Sequence, residues 1–148
     1  MNDVEEIESC HVLGLVSRDS LGDIVEKLLE KDPTNENLLV LVGLLPIELD
    51  EAYSVFEKYL RSIGRGRMTK PDAAIIYAKC ISRKILQNEI APYEGAMKIW
   101  NASLKVGDVK FHDLDTFIYA ASEYEDRLND RAFFEEEIVK EAQRWATG

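Results

Sequence analysis

The chain has 148 residues, 46% of them apolar and 31% charged, with a formal net charge of −10 at pH 7. That length suits one domain able to bury about two-thirds of its unfolded surface, and the composition excludes a disordered chain. No apolar run approaches the roughly 20 residues a bilayer-spanning helix needs, and the acidic start MNDVEEIESC lacks the parts of a secretory signal.

Apolar residues recur every three or four positions almost throughout, and no alternating strand pattern interrupts them. A first helix is expected over about 4–17, with Ile7, Cys10 and Leu13 or Leu15 inward. Ser20 and Asp23 form an S-x-x-D capping signal for a second helix, burying Leu21, Ile24, Val25, Leu28 and Leu29. Asp32-Pro33 ends it, because proline disfavours helical geometry in its predecessor and cannot donate a ladder hydrogen bond. The third helix, NENLLVLVGLL, is apolar on nearly every side, which predicts a central position and a stop at Pro46. A fourth runs from about Asp50 to Ile63, presenting Tyr53, Phe56, Leu60 and Ile63 before Gly64.

Thr69 and Asp72 repeat the capping signal, with Pro71 tolerated in the first turn of a fifth helix. It extends to about Gln87, with Ala74, Tyr77 or Ala78, Ile81 and Ile85 inward. Pro92 opens the sixth, PYEGAMKIWNASL, whose predicted core face is Tyr93, Ala96 or Met97, Trp100 and Leu104. After the irregular KVGDVKFHD, Phe117, Ala121, Tyr124 and Leu128 define a seventh face, and Phe134, Ile138, Ala142 and Trp145 an eighth. Short connections favour antiparallel neighbours. The expectation is therefore one all-α domain over 1–148: about eight helices as consecutive αα-hairpins, in a compact bundle or a short superhelix.

Chemistry-bearing patterns are sparse. The two histidines, His11 and His112, have none of the spacings that place two metal ligands on one helical face, so no metal site is expected. Cys10 and Cys80 read as buried free thiols of a cytoplasmic, bacterial-type protein. There is no nucleophile elbow, Walker loop or dinucleotide fingerprint, hence neither catalytic residue nor cofactor to name. The segment GRGRMTK, Gly64 to Lys70, offers Arg65, Arg67 and Lys70 as anion-binding candidates beside the helix that Thr69 opens. The simpler account is that Gly64 ends one helix and the cations complement its C-terminal dipole. Extended nucleic-acid binding is disfavoured by the charge of −10 and by aromatics that follow core spacing.

The last quarter carries most of the electrostatic character. From Asp113 to Trp145 there are ten Asp/Glu against four Lys/Arg, and His112 to Trp145 holds six of the thirteen aromatics. Glu123–Arg127 and Glu136–Lys140 are correctly oriented i,i+4 pairs. Carboxylates on an outward face stay solvated and ionised, so Glu123, Glu125 and Asp126 suit partner binding better than acid–base work. Such a surface steers basic partners, with Tyr119 or Tyr93 as the aromatic anchor.

PYEGAMKIW (Pro92–Trp100), FIYAASEYEDR (Phe117–Arg127) and the closing FFEEEIVKEAQRW resemble segments of small all-helical bacterial proteins of unknown function. The likeness spans about the last sixty residues and implies a helical fold, with no functional residue to carry over. Size and charge alone suggest the class of immunity-type toxin inhibitors. Two functions are thus expected: a non-catalytic interaction protein binding a basic protein partner, or a small-molecule-binding or enzymatic helical domain. The second would place its pocket near residues 64–70 or 105–113, with Arg67, His112 and Asp113 as candidates. Self-association through the third helix is a further possibility should that helix prove peripheral.

Overall fold

A computed structural model of the chain describes residues 3–44 and 49–147. Among these the backbone forms eight α-helices and no strand: α1 (Asp3–Val12), α2 (Arg18–Lys31), α3 (Glu36–Leu44), α4 (Leu49–Ser62), α5 (Lys70–Leu86), α6 (Pro92–Val106), α7 (Asp115–Asp126) and α8 (Arg131–Thr147). A 3-10 turn at Leu128–Asp130 precedes α8. Contacts divide the chain into two compact units, Gly14–Met68 and Met1–Leu13 with Thr69–Gly148.

Local chemistry explains most helix ends. The Thr69 hydroxyl accepts the Asp72 amide at 3.3 Å and Pro71 occupies the first turn of α5, as the capping signal predicts. Ser17, not Ser20, caps α2: its Oγ accepts the Ser20 amide at 3.2 Å, which puts Ser20 inside the first turn. α1 stops at Val12, five residues short of its predicted end, because Gly14 turns left-handed at φ +70°. Asn35 opens α3 by accepting the amides of Asn37 and Leu38 at 3.0 and 3.2 Å. The predicted stop at Pro46 lies outside the described residues.

In the Gly14–Met68 unit, α3 packs on α2 and α4. It buries Leu38 and Leu41, while Leu39, Val40 and Val42 remain about half exposed at 52, 52 and 50%. The prediction of a central α3 is therefore wrong: the helix is apolar all round, but neighbours cover one side of it. Phe56, Tyr59 and Leu60 of α4 are buried, whereas Ile63 lies past the helix end at 41% exposure. The Tyr53 hydroxyl donates to the Val16 carbonyl.

The central helix of the other unit is α5, which packs against α1, α6 and α8. Ala73, Ala74, Ala78, Cys80, Ile81, Ser82 and Ile85 are all buried, and at 100° per residue they occupy more than half of its circumference. α1 meets it with Glu8 and Ser9 buried, while Ile7 and Cys10, the expected core residues, are half-buried. α6 comes closest. A Cβ on the buried Gly95 would stand 2.5 Å from Ile85 Cδ1 and 3.3 Å from Ile81 Cγ2.

That approach turns α6 by about one residue from its predicted orientation. Gly95, Ala96, Ile99, Ala102 and Val106 face inward; Met97 and Trp100 are half-buried and Leu104 is 68% exposed. Phe117, Ala121, Phe134, Ile138 and Ala142 are buried as expected. Leu128 is not: α7 ends at Asp126, so the chain leaves the helical spacing and exposes this side chain to 69%.

Gly95→Ala is expected to cost about 1–3 kcal/mol by overpacking, with Ile85→Val in the same chain recovering part of the loss. Gly22→Ala, inside α2 with open space around its Cβ, should instead add up to about 1 kcal/mol. Urea midpoints of the three variants check both signs.

Candidate functional site

The acidic residues singled out on α7 fall on two flanks. Tyr119, Glu123 and Asp126 follow one another at four and three residues and share a stripe. Glu125 lies two residues from Glu123 and so points away from that stripe, toward α6.

On the α8 side, Tyr119 is 61% exposed and its ring meets the buried Phe134 edge-on, centroids 6.3 Å apart. Phe133, 57% exposed, makes a second edge contact with Phe134 at 5.0 Å. Two outward rings are thus steadied against one inward ring. Sequence spacing marks Phe134 as core, but Phe133 beside it was missed as a surface residue; its signal was the spacing itself, since Phe133 lies 100° off the Phe134, Ile138 and Ala142 stripe. Glu123 Oε2 takes Arg127 Nε at 2.6 Å, as the i,i+4 spacing predicts, and Lys140 bridges Glu136 and Glu137 at 3.8 and 3.5 Å. Asp126 is exposed, with no ion pair among the described residues.

On the α6 side, Tyr93 and Tyr124 stack with centroids 4.4 Å apart and planes 17° from parallel. The Arg131 guanidinium covers Tyr124 at 4.7 Å, and its Nε donates to the Tyr124 carbonyl at 3.1 Å. The Tyr93 hydroxyl donates to Glu125 Oε1, a bond that raises its pKa above the ordinary phenol value. Tyr93 is therefore engaged within the protein, and Tyr119 is the better-placed anchor. Beside this stack lies an open hollow of about 460 Å³ lined by Met97, Trp100, Asn101, Leu104 and Glu125.

A second hollow, about 390 Å³, is lined by Lys79, Asp113, Thr116, Glu141, Arg144 and Trp145. Glu141 is 8% exposed; Arg144 Nε meets its Oε1 at 2.8 Å and the Trp145 indole N–H donates to Oε2 at 3.3 Å. His112 lies outside this lining, its Nδ1 3.1 Å from Asp115 Oδ2 on an exposed surface. His11 sits in the last turn of α1. No group of three or more His, Cys, Asp or Glu side chains suited to a metal ion occurs among the described residues.

Of the anion-binding candidates, Arg65 and Arg67 belong to the Gly14–Met68 unit and Lys70 to the other. Gly64 is left-handed at φ +82°, and the Arg65 amide closes α4 by donating to the Leu60 carbonyl at 2.8 Å. At the start of α5, Pro71 has no amide hydrogen and the Asp72 amide is taken by Thr69. The Arg65 amide is thus used in ending α4 and the Asp72 amide in beginning α5.

Cys10, Cys80 and Tyr77 lie where α1 meets α5. Burial, then the Glu6 carboxylate, raises both thiols, Cys80 to about 12; burial, then the two cysteines, raises Tyr77 to about 12. Neither thiol favours the thiolate that nucleophilic chemistry needs.

No protein-family model, curated protein or solved structure matches this chain. No helix among the described residues is long and apolar enough to cross a membrane.

The raised pKa values set an alkaline limit. Unfolded chains release these protons near pH 9, the ordinary thiol value, while the folded chain holds the Cys80 proton to about 12. The contribution of Cys80 to stability should be constant below about pH 9 and be lost between 9 and 12, so the alkaline fall should be shallower in Cys80→Ala. Urea unfolding at several pH values measures it, and iodoacetamide should leave the 4% exposed Cys80 unmodified until the chain unfolds.

Proposed function

We propose that this chain is a non-catalytic interaction protein, of the immunity type, that docks a basic protein partner on the outer surface of α7 and α8. The observation carrying the reading is the pair of exposed rings, Tyr119 and Phe133, each held edge-on against the buried Phe134. Aromatic groups whose orientation is already set lose little entropy on binding and are characteristic interface anchors. The surrounding surface has the charge to bring a basic partner in: Asp126, Asp130, Glu135 and Glu136 are exposed. A cytoplasmic location accords with two cysteines that remain free thiols.

A small-molecule role has narrower support, from the hollow that Asp113 shares with the nearly buried Glu141. Its lining cations and carboxylates number two each, which suits a zwitterion. A thermal-shift series of zwitterionic, cationic and anionic compounds separates the readings: a shift with zwitterions alone favours this one.

A photo-crosslinking residue at Phe133 should capture a protein rich in Lys and Arg in the source cell. With the purified pair, association should slow as salt is raised, by about tenfold or more over the screening range. Asp126→Lys should slow association several-fold, whereas Tyr119→Ala and Phe133→Ala should mainly speed dissociation, by about 10- to 100-fold. An acidic partner, or an association rate indifferent to salt, overturns the proposal.

A further inference from the structure

We infer that the hollow between α6 and α7 is a binding site for an organic cation with an apolar body, such as an ammonium group on an aromatic or alkyl stem. This site is distinct from the Tyr119–Phe133 surface and does not depend on its role.

The fold creates the hollow as a by-product of packing α6 closely on α5. With Gly95, Ala96 and Ala102 turned inward, Met97, Trp100 and Leu104 are left on the other side at spacings of three and four residues. They form an apolar wall about two turns long. Its volume of about 460 Å³ falls within the range of small-molecule sites. Asn101 supplies an amide, and Glu125 the only charged group of the lining among the described residues.

The electrostatics select the ligand. Glu125 Oε1 is held by the Tyr93 hydroxyl, which fixes the carboxylate while leaving Oε2 with no ion pair among the described residues. Among the described residues no lysine or arginine lines the hollow, and Arg127 at the end of α7 is paired with Glu123. Arg131 is committed to the ring and carbonyl of Tyr124. An anion would meet Glu125 with no cation in the described lining to offset it. A neutral apolar molecule would desolvate the carboxylate without pairing it. A cation pairs with it while its stem covers Met97 and Leu104 and its charge lies near the Trp100 indole.

Phenethylammonium is a suitable probe, with 2-phenylethanol as its neutral counterpart, followed by NMR titration of the full chain. Saturable shifts are expected at Met97, Trp100, Asn101 and Leu104, with the alcohol binding about tenfold or more weakly. Glu125→Gln keeps an oxygen for the Tyr93 hydroxyl but removes the charge, and should bring the cation down to the level of the alcohol. Leu104→Ala, at a position 68% exposed, should weaken both ligands alike. Absence of saturation up to about 10 mM overturns the site. So do equal affinities for the two probes in the unmodified chain, or shifts centred on the Asp113 hollow. The comparison of probes needs no variant, so it decides the question even if Glu125→Gln fails to fold.

Discussion

The packing of α6 onto α5 through Gly95 sets the character of the Met1–Leu13 and Thr69–Gly148 unit. A backbone can come that near only where no Cβ intervenes, and Ile81 and Ile85 fill the room that Gly95 leaves. Alanines at 73, 74, 78, 96 and 102 extend the same logic along both helices. Small side chains gain little from burial individually, but they let larger neighbours interlock. α5 thereby becomes a hub that α1 and α8 also reach, although α1 is separated from it in sequence by the whole Gly14–Met68 unit.

From that packing follows the division of the aromatic and acidic residues into distinct surfaces. Turning Gly95 inward turns Trp100, Met97 and Leu104 away from the core, and this makes the α6–α7 hollow. The Tyr93–Tyr124–Arg131 stack then ties the start of α6 to the end of α7 and the start of α8. On the opposite flank of α7, Phe134 occupies the core and leaves Tyr119 and Phe133 outside as braced rings. Two chemically different surfaces thus arise on one pair of helices. One carries exposed aromatic rings amid solvated carboxylates, and the other an apolar wall with a single held carboxylate.

The capping at Thr69, the stop at Asp32-Pro33, the helix order and the Glu123–Arg127 pair were legible in the residues because each depends on neighbours within four positions. The stop at Gly14 and the cap at Ser17 were equally local, yet the competing S-x-x-D signal at Ser20 concealed them. For the outer surface of α7 and α8, charge and the exposed Tyr119 could be read directly. The separation of Glu125 from Glu123 could also have been read from helical geometry, since residues two apart face different ways.

What the sequence determined by itself is an all-helical chain whose boundaries are set by short-range hydrogen bonding and whose acidic charge concentrates at its C-terminal end. Only the tertiary structure decided which helix is central. Mean hydropathy measures how apolar a helix is, and by that measure α3 outranks α5; burial depends on how many neighbours reach a helix. The same holds for α6, where two adjacent faces were both apolar enough for the core. Steric fit chose between them, because only the face with Gly95, Ala96 and Ala102 lets α6 approach Ile81 and Ile85 so closely.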